Sequence, residues 1–208
     1  MYTSDYHRRR VELLLSLSMT CRAMRLRLLP WIWEHIEIFS VDWNGRGDRV
    51  WRPSAIVGTL RADPGLSMSV KYLCLFIRLG SELICVPRRR LTMHLTYEAT
   101  ASLLVECLGS LPNLYTLEIP WADERIAGAL ENALGRMKLP QIKTLVIPPA
   151  AHPLLRHCHG IEDLAFVVRY TRTPTPSDQI LSSLASNRNS RVKRLAIPLV
   201  SWANPSRK

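Results

Sequence analysis

"IKTLVIP", residues 142–148, sets an aliphatic residue, two polar ones, then Leu145 and Ile147 flanking one further residue, and stops at a proline. Alternation over Leu145–Val146–Ile147 predicts a short strand with the leucine and isoleucine on one face. Proline is tolerated where a strand ends and its hydrogen-bond ladder stops. The same hexapeptide, apolar-x-x-Leu-x-apolar, recurs as VKYLCL from Val70, LYTLEI from Leu114, IEDLAF from Ile161 and VKRLAI from Val192. Pro120, Pro148 and Pro198 follow three of the five copies. Successive starts lie 44, 28, 19 and 31 residues apart. The longest gap has room for one further unit around LICVPRRRLTMHL (83–95).

Units of this length opening on LxxLxL resemble leucine-rich repeats. No single unit can bury its apolar face, so neighbours must stack. Three inward side chains per strand, at roughly 1.5–3 kcal/mol each before entropy, make such a stack cooperative. Helical returns are legible between the strands. YEATASLLVECLGSL (97–111) reads as a helix ending near Gly109. ADERIAGALENALGRM stripes Ile126, Leu130, Leu134 and Met137 behind a candidate cap, Asp123. TPTPSDQILSSLAS offers Thr175 as cap, Pro176 in the first turn, then Ile180, Leu181 and Leu184. Strand and helix in alternation imply an α/β fold with short parallel strands and outer helices. A doubly wound sheet is the other arrangement of such units, but no glycine-rich phosphate loop follows any strand. The expectation is therefore a leucine-rich-repeat-like solenoid over 39–208.

The chain opens on a different kind of segment, LLLSLSMTCRAMRLRLLPWIWEHIEI (13–38). Glu12 and the arginines at 22, 25 and 27 interrupt it too often for a secretory core. The uncharged run is also far short of the ~20 residues that cross a bilayer. An arginine- and serine-rich mitochondrial presequence is a third reading of the same letters. Leu14, Leu17, Cys21, Met24 and Leu28 instead fall at helical spacing on one face, and Pro30 is expected to break the helix. WIWEHIEI then alternates like a first strand.

This stretch resembles the second half of an F-box as carried by fungal F-box proteins with divergent leucine-rich repeats. The matching positions are Leu14, Leu15, Leu17, Cys21, Arg22, Ala23, Leu29, Pro30 and Trp33. The L-P-x-E-[IL] helix that opens the family's module is missing, since MYTSDYHRRRVE contains no such segment. The resemblance thus describes residues 1–38 as a truncated, helical F-box remnant. It implies docking onto the Skp-type adaptor of a cullin ubiquitin ligase through Leu14, Leu15 and Leu17. The repeats behind it would hold the substrate protein.

Composition sets the remaining bounds. With 47% hydrophobic and 22% charged residues the chain can bury a core. Its net charge of +11 keeps nucleic acid and acidic proteins open as partners. Five unpaired-looking cysteines in or beside apolar stretches suit buried, reduced thiols and an intracellular setting, cytoplasm or nucleus. His152, His157, Cys158 and His159 crowd together in HPLLRHCHG, yet no second ligand pair matches them. Cys158 suits the inward cysteine of a leucine-rich turn instead. Arg46-Gly47-Asp48 reads as a turn, and HRRR (7–10) and PRRR (87–90) as solvated turns. No nucleophile–base constellation or phosphate cradle is present, so neither catalysis, a cofactor nor a bound metal is expected.

In a leucine-rich array the residues beside the inward leucines line the concave face. Here these are Tyr72, Cys74, Phe76, Thr116, Glu118, Thr144, Val146, Asp163, Ala165, Val167, Arg194 and Ala196. Two acids and one arginine among apolar neighbours suit a protein or peptide and repel a phosphate backbone. The chain therefore reads as a non-enzymatic interaction protein, the substrate-recognition part of a ubiquitin ligase. A repeat scaffold without a ligase link and an arginine-driven nucleic-acid binder are the alternatives.

Overall fold

The computed structural model describes residues 3–39, 53–76, 97–122, 124–167 and 191–196, with Ser182 and Ala185. Six parallel strands form one sheet in chain order: β1 (His35–Phe39), β2 (Tyr72–Phe76), β3 (Thr116–Trp121), β4 (Thr144–Ile147), β5 (Asp163–Phe166) and β6 (Arg194–Ala196). The five hexapeptides supply β2 to β6. Their leucines stand in one continuous register, Leu73–Leu117–Leu145–Leu164–Leu195, which Ile36 extends into β1. The strands neighbour one another in chain order, whereas a doubly wound sheet reverses its order midway. No strand separates β2 from β3, which pair directly, so the expected extra unit is not a rung between them. Residues 83–95 themselves lie outside the described residues.

The hexapeptide spacing explains the regularity. Its first residue is fully buried in four copies (Val70, Leu114, Ile142, Ile161), just ahead of the strand. The next residue's carbonyl then accepts two amides from the following unit. Glu34, Lys71, Tyr115, Lys143 and Glu162 each do so at 2.7–3.1 Å. Trp33-Glu34-His35-Ile36-Glu37-Ile38 follows the same spacing and is a sixth rung that the leucine-based pattern passes over.

Helices α3 (Pro53–Ala62), α4 (Pro64–Ser69), α5 (Tyr97–Gly109) and α6 (Glu124–Leu134), with a 3-10 helix over Pro149–Arg156, fill the returns. Val57, Leu60, Leu66, Leu104, Leu108, Ile126, Leu130, Leu154 and Leu155 join the inward strand residues in a single buried cluster. α5 ends at Gly109 as its sequence predicts, and α6 stops where Gly135 takes a φ of +51°, the left-handed turn that glycine allows. Asp123 is outside the described residues. So is the predicted helix over 173–186, apart from Ser182 and Ala185, both helical and exposed.

Three local expectations are corrected. Leu14 to Leu28 do not form one helix: α1 (Thr3–Ser18) and α2 (Arg22–Trp33) are separated at Met19–Cys21. Ser18 and Thr20 turn their hydroxyls back onto the carbonyls of Leu15 and Leu17 at 2.7 Å, and Cys21 turns extended to cap α2. Pro30 does not break α2, which runs on to Trp33 and delays β1 to His35. Losing one helical hydrogen bond there is offset by Leu29 and Trp33 packing on the core. Pro120 does not end β3; the strand continues to Trp121 while its register against β2 slips between Cys74 and Phe76. A residue without an amide fits such a bulge. In addition, residues 3–12 are helical although they lack the L-P-x-E-[IL] sequence, so HRRR (7–10) forms part of α1 and not a turn.

Candidate functional site

Because side chains alternate along a strand, burying the leucines turns the intervening residues to the opposite face. Register places them in two rows. One runs His35–Tyr72–Thr116–Thr144–Asp163–Arg194, the other Glu37–Cys74–Glu118–Val146–Ala165–Ala196. Tyr72, Thr116, Glu118, Thr144, Val146, Asp163, Ala165 and Val167 are half-buried, Arg194 and Ala196 are exposed, and Cys74 is enclosed by its neighbours. The side chain of Phe76 is outside the description. Apart from Val167, which follows the end of β5 and stands in neither row, the other predicted face residues therefore share one face of the sheet. His35 and Glu37 belong to it too, and recognising WEHIEI as a rung would have found them.

The face is graded from end to end. At β1–β3 the rings of His35 and Tyr72 stack with centroids 3.8 Å apart, and His35 Nε2 lies 3.2 Å from Glu37 Oε1. The Tyr72 hydroxyl donates to Glu118. Burial, and then that carboxylate, push the Tyr72 phenol well above its ordinary range, so it is a permanent donor. At β4–β6 the floor is small and apolar. A depression of about 310 Å³ there is lined by Thr144, Asp163, Ala165, Arg194 and Ala196 together with Leu164 and Leu195. Arg194 grips both Asp163 oxygens, at 2.5 and 2.6 Å. That guanidinium holds the Asp163 carboxyl below its usual range.

The second surface is the α1–α2 hairpin. Leu14 is half-buried, while Leu15 and Leu17 are 47% and 38% exposed. Leu13, Met19, Leu26 and Trp31 are more exposed still, and α2 has no buried residue at all. Helical spacing alone does not reveal this, because a stripe of leucines looks the same whether or not something covers it. Glu34 ties the hairpin to the sheet: Arg10 of α1 bonds it at 2.8 Å and Lys71 at 3.1 Å. The Arg10 bond leads in keeping the Glu34 carboxyl below its ordinary value.

The histidine cluster has local partners. His152 Nδ1 and His157 Nδ1 each lie 3.0 Å from a backbone oxygen, of Pro149 and Met137. Cys158 is sealed in the core, where burial pushes its thiol up to about 12, and Cys107 rises to about 11 for the same reason. Among the described residues no group of three or more His, Cys, Asp or Glu is placed to hold a metal ion. Nor is any described helix long and apolar enough to cross a membrane. The 46–48 tripeptide, the 87–90 basic run and Cys85 lie outside the described residues. Comparison of the chain with protein-family models, with curated proteins and with solved structures finds no match.

Proposed function

We propose that this chain is a non-enzymatic, intracellular protein-interaction module, the substrate-recognition component of a cullin-type ubiquitin ligase. In this reading the parallel sheet is a leucine-rich-repeat-like solenoid, and the α1–α2 hairpin is an F-box-like docking element. One observation carries it: among the described residues, two surfaces of opposite character, an exposed apolar helical hairpin and a part-exposed, graded polar sheet face, are fastened together through Glu34. A protein that bridges an adaptor and a substrate needs two such surfaces, and no chemistry of its own. The carboxylates of Glu37 and Glu118 on the sheet face argue against a nucleic-acid groove.

Co-expression with a Skp-type adaptor tests the reading. The wild-type chain is expected to co-purify with it. The double change Leu15→Asp, Leu17→Asp removes two apolar anchors worth roughly 1.5–3 kcal/mol each, so affinity should fall a hundredfold or more. Both leucines lie outside the buried cluster, so the melting temperature should hold within a few degrees. A wild-type chain that never captures the adaptor is a repeat scaffold with no ligase link.

A further inference from the structure

We infer that the sheet face takes an extended peptide bearing a basic side chain and, about three or four residues away, an aliphatic one. The inference rests on the reading of this face as the recognition surface, and it names the chemistry of what is recognised.

All-parallel sheets are ordinarily covered on both faces. Here the described helices bury the leucine face from β1 to β5, while Leu195 of β6 is 45% exposed, and the other face stays part-exposed. Its charge pattern identifies the occupant. Glu37, Cys74 and Glu118 are neighbours in one row, so the two glutamate backbones stand about two strand spacings, roughly 10 Å, apart, with the Glu118 carboxylate leaning back to the Tyr72 hydroxyl. A guanidinium or ammonium above Cys74 would lie between the two acidic residues. Beside it the His35 and Tyr72 rings stack on each other, with the His35 side chain only 8% exposed, and wall one side of this spot.

Glu34, Glu131, Glu162 and Asp163 each pair with a lysine or arginine of the chain. Among the described residues Glu37 and Glu118 do not: one meets His35 and the other a tyrosine hydroxyl. The net charge of +11 does not repel a cationic segment at this spot. Beyond ~8 Å, physiological salt screens the distant arginines, and the two local carboxylates decide the sign.

Toward the other edge, Asp163 is neutralised by Arg194, and Val146 and Ala165 leave a shallow apolar floor. From β2 to the β4–β5 boundary is two to three strand spacings, roughly 10–14 Å. An extended chain rising ~3.3 Å per residue covers that in about three to four residues.

Fluorescence anisotropy with the full chain tests the inference. The probes are two fluorescein-labelled peptides, identical except for Arg or Glu at the first anchor, with Val placed three residues on. The Arg peptide is expected to bind about tenfold tighter, the ratio shrinking as salt is raised. Glu37→Gln with Glu118→Gln should erase the preference, and Glu118→Lys should invert it toward the Glu peptide. The inversion cannot come from a protein that has failed to fold. Equal affinities, a preference that survives both Gln changes, or no binding of either peptide overturns the inference. Adaptor capture by the same preparations separates the two ideas: capture with no peptide selectivity removes this inference alone. Selectivity without capture removes the hairpin's role alone.

Discussion

Leu145→Ala is expected to lower the unfolding free energy by about 3 kcal/mol, within the roughly 2–5 kcal/mol of fully buried leucine truncations. Leu145 is 0% exposed and sits mid-ladder, with Leu117 on one side and Leu164 on the other. Its loss therefore opens a void against two strands that cannot close independently. Urea unfolding followed by circular dichroism reads the effect as a lower midpoint at unchanged slope. Thr144→Ala, one residue away but on the other face, should cost under about 1 kcal/mol. Equal losses at the two positions would mean that the sheet has no buried side.

Gly160→Ala should cost about as much, for a different reason. A Cβ at Gly160 would collide with the carbonyl oxygen of Pro140, and with the Ile142 oxygen just beyond it. The turn after Met137 and the turn before β5 are held together by Leu139 N donating to the His157 carbonyl at 2.8 Å. Backbone meets backbone there, and neither side can retreat as a flexible side chain would. The expected loss is about 3 kcal/mol by the same measurement. Gly128→Ala, in the open on α6, should instead stabilise by roughly 0.5–1 kcal/mol. A Gly160→Ala protein as stable as the parent would refute this turn-on-turn packing.

The strands that carry a leucine at the fourth hexapeptide position were readable because the constraint is local. Period-two alternation and a buried leading residue sit within six letters, and a neighbour stacked on each side imposes the same demand on the inner copies; in the last copy Val192 is only half-buried and Leu195 is exposed. β1 satisfies it with Ile36 after Trp33, so a leucine-based pattern misses it although the physics is unchanged. The path of α2 through Pro30 was not readable, because the outcome turns on Leu29 and Trp33 reaching a core built from residues far along the chain. The slip at Pro120 is likewise a compromise between two strands and not a property of either. For the site, alternation fixed which side chains share the outer face. The pairings that give the face its sign, Glu118 with Tyr72 and Asp163 with Arg194, bridge residues 46 and 31 apart and needed the register to be known. Exposure of the hairpin leucines was beyond any periodicity, since it depends on what does not pack against them.

Spin labels at Glu37 and Ala196, with Cys21 and Cys85 replaced by serine, probe the strand order itself. These positions end one row, five strand spacings apart at about 4.8 Å each, so pulsed dipolar spectroscopy should find a separation near 24 Å. A distance of about 15 Å or less would place β1 inside the sheet, with the strand order reversed around it, and would contradict a parallel sheet whose strands neighbour one another in chain order.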